Sequence, residues 1–250
     1  MNALARKALG YAAAAAVLLL AWAALSWAVG SPALPGPVVA FSAFFAEWPV
    51  IWPEILISAW RVLAAMAIGT ILAVPLGLVL GRSPKADAIA APMIFLTYPI
   101  PKVVFLPVLL VLLGLGNMPK ITLIALIVFF QILVTSRDAA KAVPEASVLS
   151  VRSLGASSFD IYRHVVVPAA LPDIFTALRI GTGTAIAVLF LAESIAGSSG
   201  IGFYIGDAWG RIDYAAMFAG IIGMALLGVV LYEVLDAIEA YATRWRKAEK

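Results

Sequence analysis

The sequence contains no cysteine and a single histidine, His164. Disulfides and thiolate metal sites are thereby excluded, and one imidazole alone cannot assemble a zinc site. Charge is scarce too. Only 12% of the residues are Asp, Glu, Lys or Arg, where a soluble domain carries roughly a quarter. No G-x-x-x-x-G-K-S/T occurs, so nothing can cradle nucleotide phosphates in that manner. H-E-x-x-H and G-x-S-x-G are also missing, and Gly200-Ile201-Gly202 with Gly206 lacks both the spacing and the preceding strand of a dinucleotide turn. The residues therefore offer no catalytic set, and the chain does not read as an enzyme.

What is abundant is apolar surface. Hydrophobic residues make up 64% of the 250 positions, and the mean hydropathy is +1.04. A chain of this kind cannot cover itself with polar groups in water, so the bilayer must serve as its solvent. In hydrocarbon every backbone N–H and C=O needs an internal partner, which makes apolar runs of this length helices. The expected fold is all-α, with six membrane spans. The first is Gly10 to Val29; the apolar run after Arg6 and Lys7 is too long for a cleavable signal and reads as an uncleaved helix. Residues 38–52, rich in aromatics, read as an interfacial segment. The other spans fall at about 55–81, 88–113 (interrupted by Pro99, Pro101 and Pro107), 120–135, 174–196 and 214–238. The long polar stretch 136–173 and the Gly/Ser-rich stretch 197–213 read as loops. A boundary near residue 54 would separate an N-terminal helix and interfacial segment (1–54) from a core (55–250).

Lys and Arg set the orientation. With the N-terminus inside, twelve loop and tail cations face one side, among them Arg6, Lys7, Arg82, Arg137, Arg246, Lys247 and Lys250, against Lys120 and Arg211 on the other. Both termini and the polar loop are expected in the cytoplasm.

The polar loop is the most informative segment. A helix after Pro144 should end at Gly155, and Ser157 with Asp160 three residues on is a capping box for a second helix. Pro168 and Pro172 are expected to stop that helix early. Phe159, Ile161, Tyr162 and Val165 give it apolar surface, which in a cytoplasmic loop should dock against something. This loop resembles the cytoplasmic signature of ATP-binding-cassette importer permeases: E-A-A, three residues, Gly, nine residues, I-x-L-P. Gly155 takes the glycine, Val165 and Val167 the I and L, and Pro168 the proline. Leu149-Ser150-Val151 stands where the family has E-A-A. Further matches to the nitrate/sulfonate/taurine group lie at Ser58–Leu63, Pro75–Arg82, Tyr98–Pro101, Phe105–Val108, Gly114–Gly116, Pro168–Pro172, Leu178–Gly181 and Ala192-Glu193.

The resemblance implies a permease subunit of an ATP-driven importer in a bacterial inner membrane. It implies a second permease copy, cytoplasmic ATPase subunits that hold ATP and magnesium, and a periplasmic or lipid-anchored solute-binding protein. The chain itself would hold no cofactor and no metal, and would contact membrane lipid but no nucleic acid. The solute would be small: an anion such as nitrate, taurine or an alkanesulfonate, or a neutral vitamin precursor. Gly155, Ala156, Ser157, Ser158, Phe159, Asp160, Tyr162, Arg163 and Pro168 are the implied ATPase-coupling residues. An ATP-independent transporter or channel is the rival reading; it would not need that loop.

Charges and breaks within spans mark the candidate pathway. These are Tyr98, Pro99 and Pro101 at the helix break, Thr182, and Glu193, which either lines the pathway or pairs with an arginine. Lys102 flanks the break and ranks below Tyr98. Arg61, beside Trp60, reads as an interfacial anchor or as a bundle-facing charge.

Overall fold

The structure, a computed structural model, describes residues 3–247, with side chains from 9 to 245. Arg6, Lys7, Arg246, Lys247 and Lys250, which the charge count includes, lie outside the described side chains. Every described element is a helix or turn. Five helices are long and apolar enough to cross a bilayer: α1 (Ala3–Val29), α3 (Trp48–Arg82), α6 (Asn117–Ala142), α9 (Val167–Ala196) and α11 (Tyr214–Ala242). A sixth apolar stretch of sufficient length is broken. It comprises α4 (Pro84–Thr97), a 3-10 turn (Lys102–Phe105) and α5 (Leu106–Leu113), and its two halves meet at 78°. Short helices fill the connections: α2 (Pro37–Ala46), α7 (Glu145–Ser153), α8 (Ser158–Ile161) and α10 (Ile201–Gly210).

The core is the α3–α6–α9 stack, with Val62, Ala65, Ala73, Ile124, Val128, Ile132, Ala185 and Leu189 at its centre. Backbones approach closely because Gly69, Ala73, Gly77 and Gly81 recur every four residues on one face of α3. A Cβ on Gly77 would lie 2.7 Å from the Leu133 carbonyl, and one on Gly81 2.3 Å from that of Arg137. Small-residue stripes serve this purpose in membranes, where apolar burial between helices gains little over lipid. α10 is wedged between α9 and α11, and α2 lies on α11. In contrast, α4 buries none of its residues and the apolar stretch of α1 is unburied. α1 is tied down at its end by Trp22, whose indole N–H donates to the Pro35 carbonyl (3.0 Å) and whose ring stacks on Phe218.

The structure changes several expected boundaries. α3 begins at Trp48, so the last third of the expected interfacial segment belongs to its first turns, and a boundary at residue 54 falls inside a helix. Pro53 and Pro75 do not stop it, since each removes one backbone bond that an apolar bundle tolerates. The polar stretch 136–173 is not a loop but mostly helix. α6 continues to Ala142 because Ser136 is buried and Arg137 pairs with Asp87 of α4. Nor does Pro168 end the second loop helix. A π turn, Tyr162–Val166, joins α8 to α9, so the helix runs from Ser158 to Ala196. Pro168 lacks the N–H that would reach the His164 carbonyl, and the wider turn absorbs that missing bond. The stretch 197–213 likewise contains α10.

Candidate functional site

The span charges converge on the α9–α10 reversal. Glu54, Ser58 and Arg61 stand at helical spacing on α3. Glu193 is fully buried and accepts from Arg61 Nη1 (2.6 Å), from Ser58 Oγ (2.9 and 2.8 Å to its two oxygens) and from the Gly202 N–H (2.9 Å). Arg61 is 2% exposed; it also donates from Nε to Asn117 Oδ1 (2.9 Å) and to Ser199 O and Oγ (2.8 Å each). Lys120, 1% exposed, donates to the carbonyls of Ala196 (3.0 Å), Gly116 (3.2 Å) and Leu115 (3.3 Å). Glu54 accepts from the Gly200 N–H, and the Ile201 N–H donates to Ser58 Oγ (2.9 Å).

The pattern has a physical logic. Cations meet the carbonyl end of α9, carboxylates meet the N–H end of α10, and both helix dipoles are complemented. Gly200 is required at the join: its φ is +102°, and a Cβ there would sit 2.3 Å from the Glu193 carboxylate. A second clamp lies nearby, where the Tyr204 hydroxyl of α10 donates to Glu47. Burial, helped by that bond, holds the Tyr204 phenol above its ordinary range, so it remains a donor.

Glu193 is therefore a member of a clasp and not a group on a cavity wall; of its two readings, pairing with an arginine is the one observed. Arg61 is not a snorkelling anchor, because its guanidinium is enclosed. Thr182 is also off the wall: it is 3% exposed and donates to its own helix at Leu178 O (2.9 Å).

The remaining three pathway candidates do share a surface. Tyr98, Pro99 and Pro101 line an open hollow of about 330 Å³ together with Lys102, Phe130, Gln131, Thr184 and Val188. The break exposes carbonyls that no helix satisfies, and Lys102 Nζ donates to two of them, Thr97 O (2.9 Å) and Tyr98 O (2.6 Å). It lies 4.5 Å from the Phe130 ring centre. Sequence reasoning missed Gln131, since one glutamine in an apolar helix does not reveal which side it faces, and it read Thr184, with Thr182 and Gly183, as a helix-packing residue. The Glu54–Ser58–Arg61 face was missed too, although three polar residues at i, i+4 and i+7 are a signal that could have revealed it.

At the opposite end from the clasp, the polar loop has the local geometry its sequence implies. α7 ends in a Schellman motif: the Gly155 N–H reaches Arg152 O (3.0 Å), the Ala156 N–H reaches Val151 O (3.4 Å), and Gly155 has φ +83°. Ser157 and Asp160 then form the capping box in both directions. Leu154 and Phe159 stand out, 86% and 69% exposed. Ser157, Ser158 and Arg163 are exposed around them, while Ala156, Tyr162 and Pro168 are half-buried. Ile161, expected on the apolar surface, points inward and is buried. The loop is fastened to the bundle by Arg82, which reaches Glu145 (2.8 Å) and Val143 O (3.2 Å).

Residues 69–245 match the family described as binding-protein-dependent transport system inner membrane component. The chain is 32% identical to the taurine transport system permease protein TauC of Escherichia coli, over 78% of this chain and 71% of that one. It is 30% identical to the putative aliphatic sulfonates transport permease protein SsuC of the same organism, over 87% and 82%. Its fold is that of a chain in the inward-facing MetNI methionine ABC transporter, with a TM-score of 0.65, 20% identity, and coverage of 78% and 98%. The chain belongs to the binding-protein-dependent transport inner membrane component family: it is a multi-pass permease subunit of an ATP-binding-cassette importer and not itself an enzyme.

Proposed function

We propose that the permease works as a homodimer whose residues 154–168 seat in two cytoplasmic ATPases, while a solute-binding protein delivers a small anion to the other face. The observation that carries the docking role is the Leu154–Phe159 knob. A Schellman cap and a capping box back to back hold two large apolar side chains in a fixed, exposed pose. Exposed apolar groups on a rigid polar loop mark an interaction site. ATP and magnesium belong to the ATPase. Closure of two ATPases would move the docked loops and, through the unbroken helix 158–196, tilt α9 between two cavity orientations.

The homodimer accounts for α4. Its Ile89, Met93, Phe95 and Leu96 are 66–76% exposed, and a broken span leaves unsatisfied backbone that protein or a wet cavity must cover. The wall at Tyr98, Pro99 and Pro101 would then face the cavity between copies, with Thr182 and Glu193 supporting it from behind. The charge asymmetry supports an inner-membrane protein with both termini in the cytoplasm. The relatives named for taurine and aliphatic sulfonates support a small sulfonate, or a similar anion such as nitrate, as the solute.

The test is co-purification of the ATPase with Phe159→Asp and Gly155→Pro variants. Loss of the ATPase, or hydrolysis without uptake, is expected from both. Normal assembly and normal transport in both would refute the docking role.

A further inference from the structure

A hollow of about 660 Å³ opens at the loop end of the bundle. Its bundle side comes from the ends of α3 and α6 and the first turn of α4, its loop side from α7, α8 and the π turn. Five charged side chains line it. Two are acids, and an arginine already answers each: Arg137 donates from Nη2 to Asp87 Oδ2 (2.7 Å), and Arg82 pairs with Glu145 (2.8 Å). Asp138, which Arg137 also reaches (3.2 Å), lines a different hollow. Two cations are left over. Lys141 Nζ stands 3.9 Å from Asp87, beyond hydrogen-bond reach, and Arg152 has no acceptor among the described residues. The hydroxyls of Ser158 and Tyr162, on the loop side, are also without a partner there.

The hollow therefore has a surplus of positive charge and of donors. Its floor is apolar: Val148, Ile161 and Val166 are 2%, 6% and 0% exposed. Cavities of about 300–1,000 Å³ fit organic molecules. Cations and hydroxyls above an apolar floor fit one that is anionic at one end. Two spare cations and two spare hydroxyls call for a group with several acceptor oxygens, as a phosphate has. The hollow lies where α3 and α6 end, beside the span formed by α4 and α5. Basic pockets between membrane helices at that level, on the cytoplasmic side, take anionic headgroups.

We propose that this hollow binds an organic phosphate between Lys141 and Arg152, and that the bound phosphate braces the polar loop against the bundle. Two sources share this chemistry: the headgroup of an anionic phospholipid and a soluble phosphate ester. The two spare cations come from opposite sides, Lys141 from the bundle and Arg152 from the loop. An anion held by both ties the sides together. It favours the arrangement in which they stand close and opposes motion imposed on the loop. The binding stands apart from the permease reading; the brake on ATP hydrolysis rests on it.

The test uses the permease with its ATPase. Complexes are taken from mixed phosphatidylcholine and phosphatidylglycerol bilayers, and native mass spectrometry counts the phosphatidylglycerol that each retains. In pure phosphatidylcholine discs, equilibrium dialysis measures the binding of labelled glycerol 3-phosphate. Arg152→Gln should weaken whichever ligand is bound about tenfold, the worth of one charge-assisted hydrogen bond. Arg152→Lys should keep most of the binding. Lys85→Gln removes a neighbouring cation that does not line the hollow, and it should change nothing. Retained phosphatidylglycerol assigns the lipid, and bound glycerol 3-phosphate assigns the soluble ester; either supports the site. Hydrolysis should be faster in Arg152→Gln than in the parent where the ligand is present, and equal where it is absent. A parent that binds neither ligand, or binding unaltered in Arg152→Gln, overturns the proposal. An equal loss in Lys85→Gln does so too, since it would mark a general attraction to surface charge. Binding that leaves hydrolysis unchanged refutes the brace. If the ATPase fails to co-purify, the permease reading is at fault, and dialysis with the permease alone still decides the site.

Discussion

A guanidinium enclosed among apolar helices is tolerated only when its charge is met and each of its nitrogens finds an acceptor. Arg61 satisfies this through Glu193, Asn117 and Ser199, which come from three other parts of the chain. Such a pair is not strongly stabilising in itself, because desolvation offsets most of the Coulomb gain. Breaking it from one side leaves an uncompensated buried charge, at a cost of about 3–5 kcal/mol. Arg61→Met alone should therefore sharply lower the thermal midpoint of the detergent-solubilised protein. The double variant Arg61→Met with Glu193→Leu should recover much of that loss. A double variant no more stable than the single would show that the bonds to Asn117 and Ser199, not the charge pair, carry the effect. Glu193→Gln keeps the shape and the Ser58 contact, so it should be milder than Glu193→Leu alone, measured the same way.

Single helices differ in how much of their form is written locally. The loop end of α7 was legible because its determinants lie within a few residues: Gly155 for positive φ, Ser157 and Asp160 for the cap. The start of α10 was not. Its first N–H groups are met by Glu54 and Ser58, 146 and 143 residues away in the chain, and no local pattern announces such a cap. Pro168 misled for a related reason, since proline rules describe α-helical rings and the π turn before it is a different ring. In the pathway, Tyr98, Pro99 and Pro101 were legible as a break in an apolar run. Whether Thr182 or Thr184 faces the hollow depends on how α9 is rotated against α6, which only packing decides. Local determination makes a prediction at Gly155. An alanine there keeps the space, as nothing lies within 4 Å of the missing Cβ, but must hold φ +83°, at about 1–2 kcal/mol. Gly155→Ala should make the 153–158 segment more susceptible to limited proteolysis. The thermal midpoint of the membrane bundle should stay unchanged. Equal protease resistance would mean that the Schellman turn is held by its neighbours and not by the glycine.

For the whole molecule, the two ends of the bundle are built differently, and the difference fits a machine driven from one side. The clasp end is sealed: Arg61, Lys120 and Glu193 are almost fully enclosed, and the α9–α10 reversal is pinned by side chains from α3 and α6. The loop end is open, with an Arg82–Glu145 strut at the edge of a hollow of about 660 Å³ between α4 and the polar loop. Motion imposed on the loop can be taken up at this end while the clasp holds the other. This scheme requires the loop to be cytoplasmic and the clasp external. Single cysteines at Ser158 and Ser198, both exposed, decide it in a chain with no other thiol. In intact cells a membrane-impermeant maleimide should label the cysteine at 198 and leave that at 158 untouched until the membrane is permeabilised. Labelling of 158 from outside, with none at 198, would invert the topology and place the ATPase at the clasp. In that arrangement the exposed knob at Leu154 and Phe159 would face the wrong compartment, and the whole coupling scheme would fail.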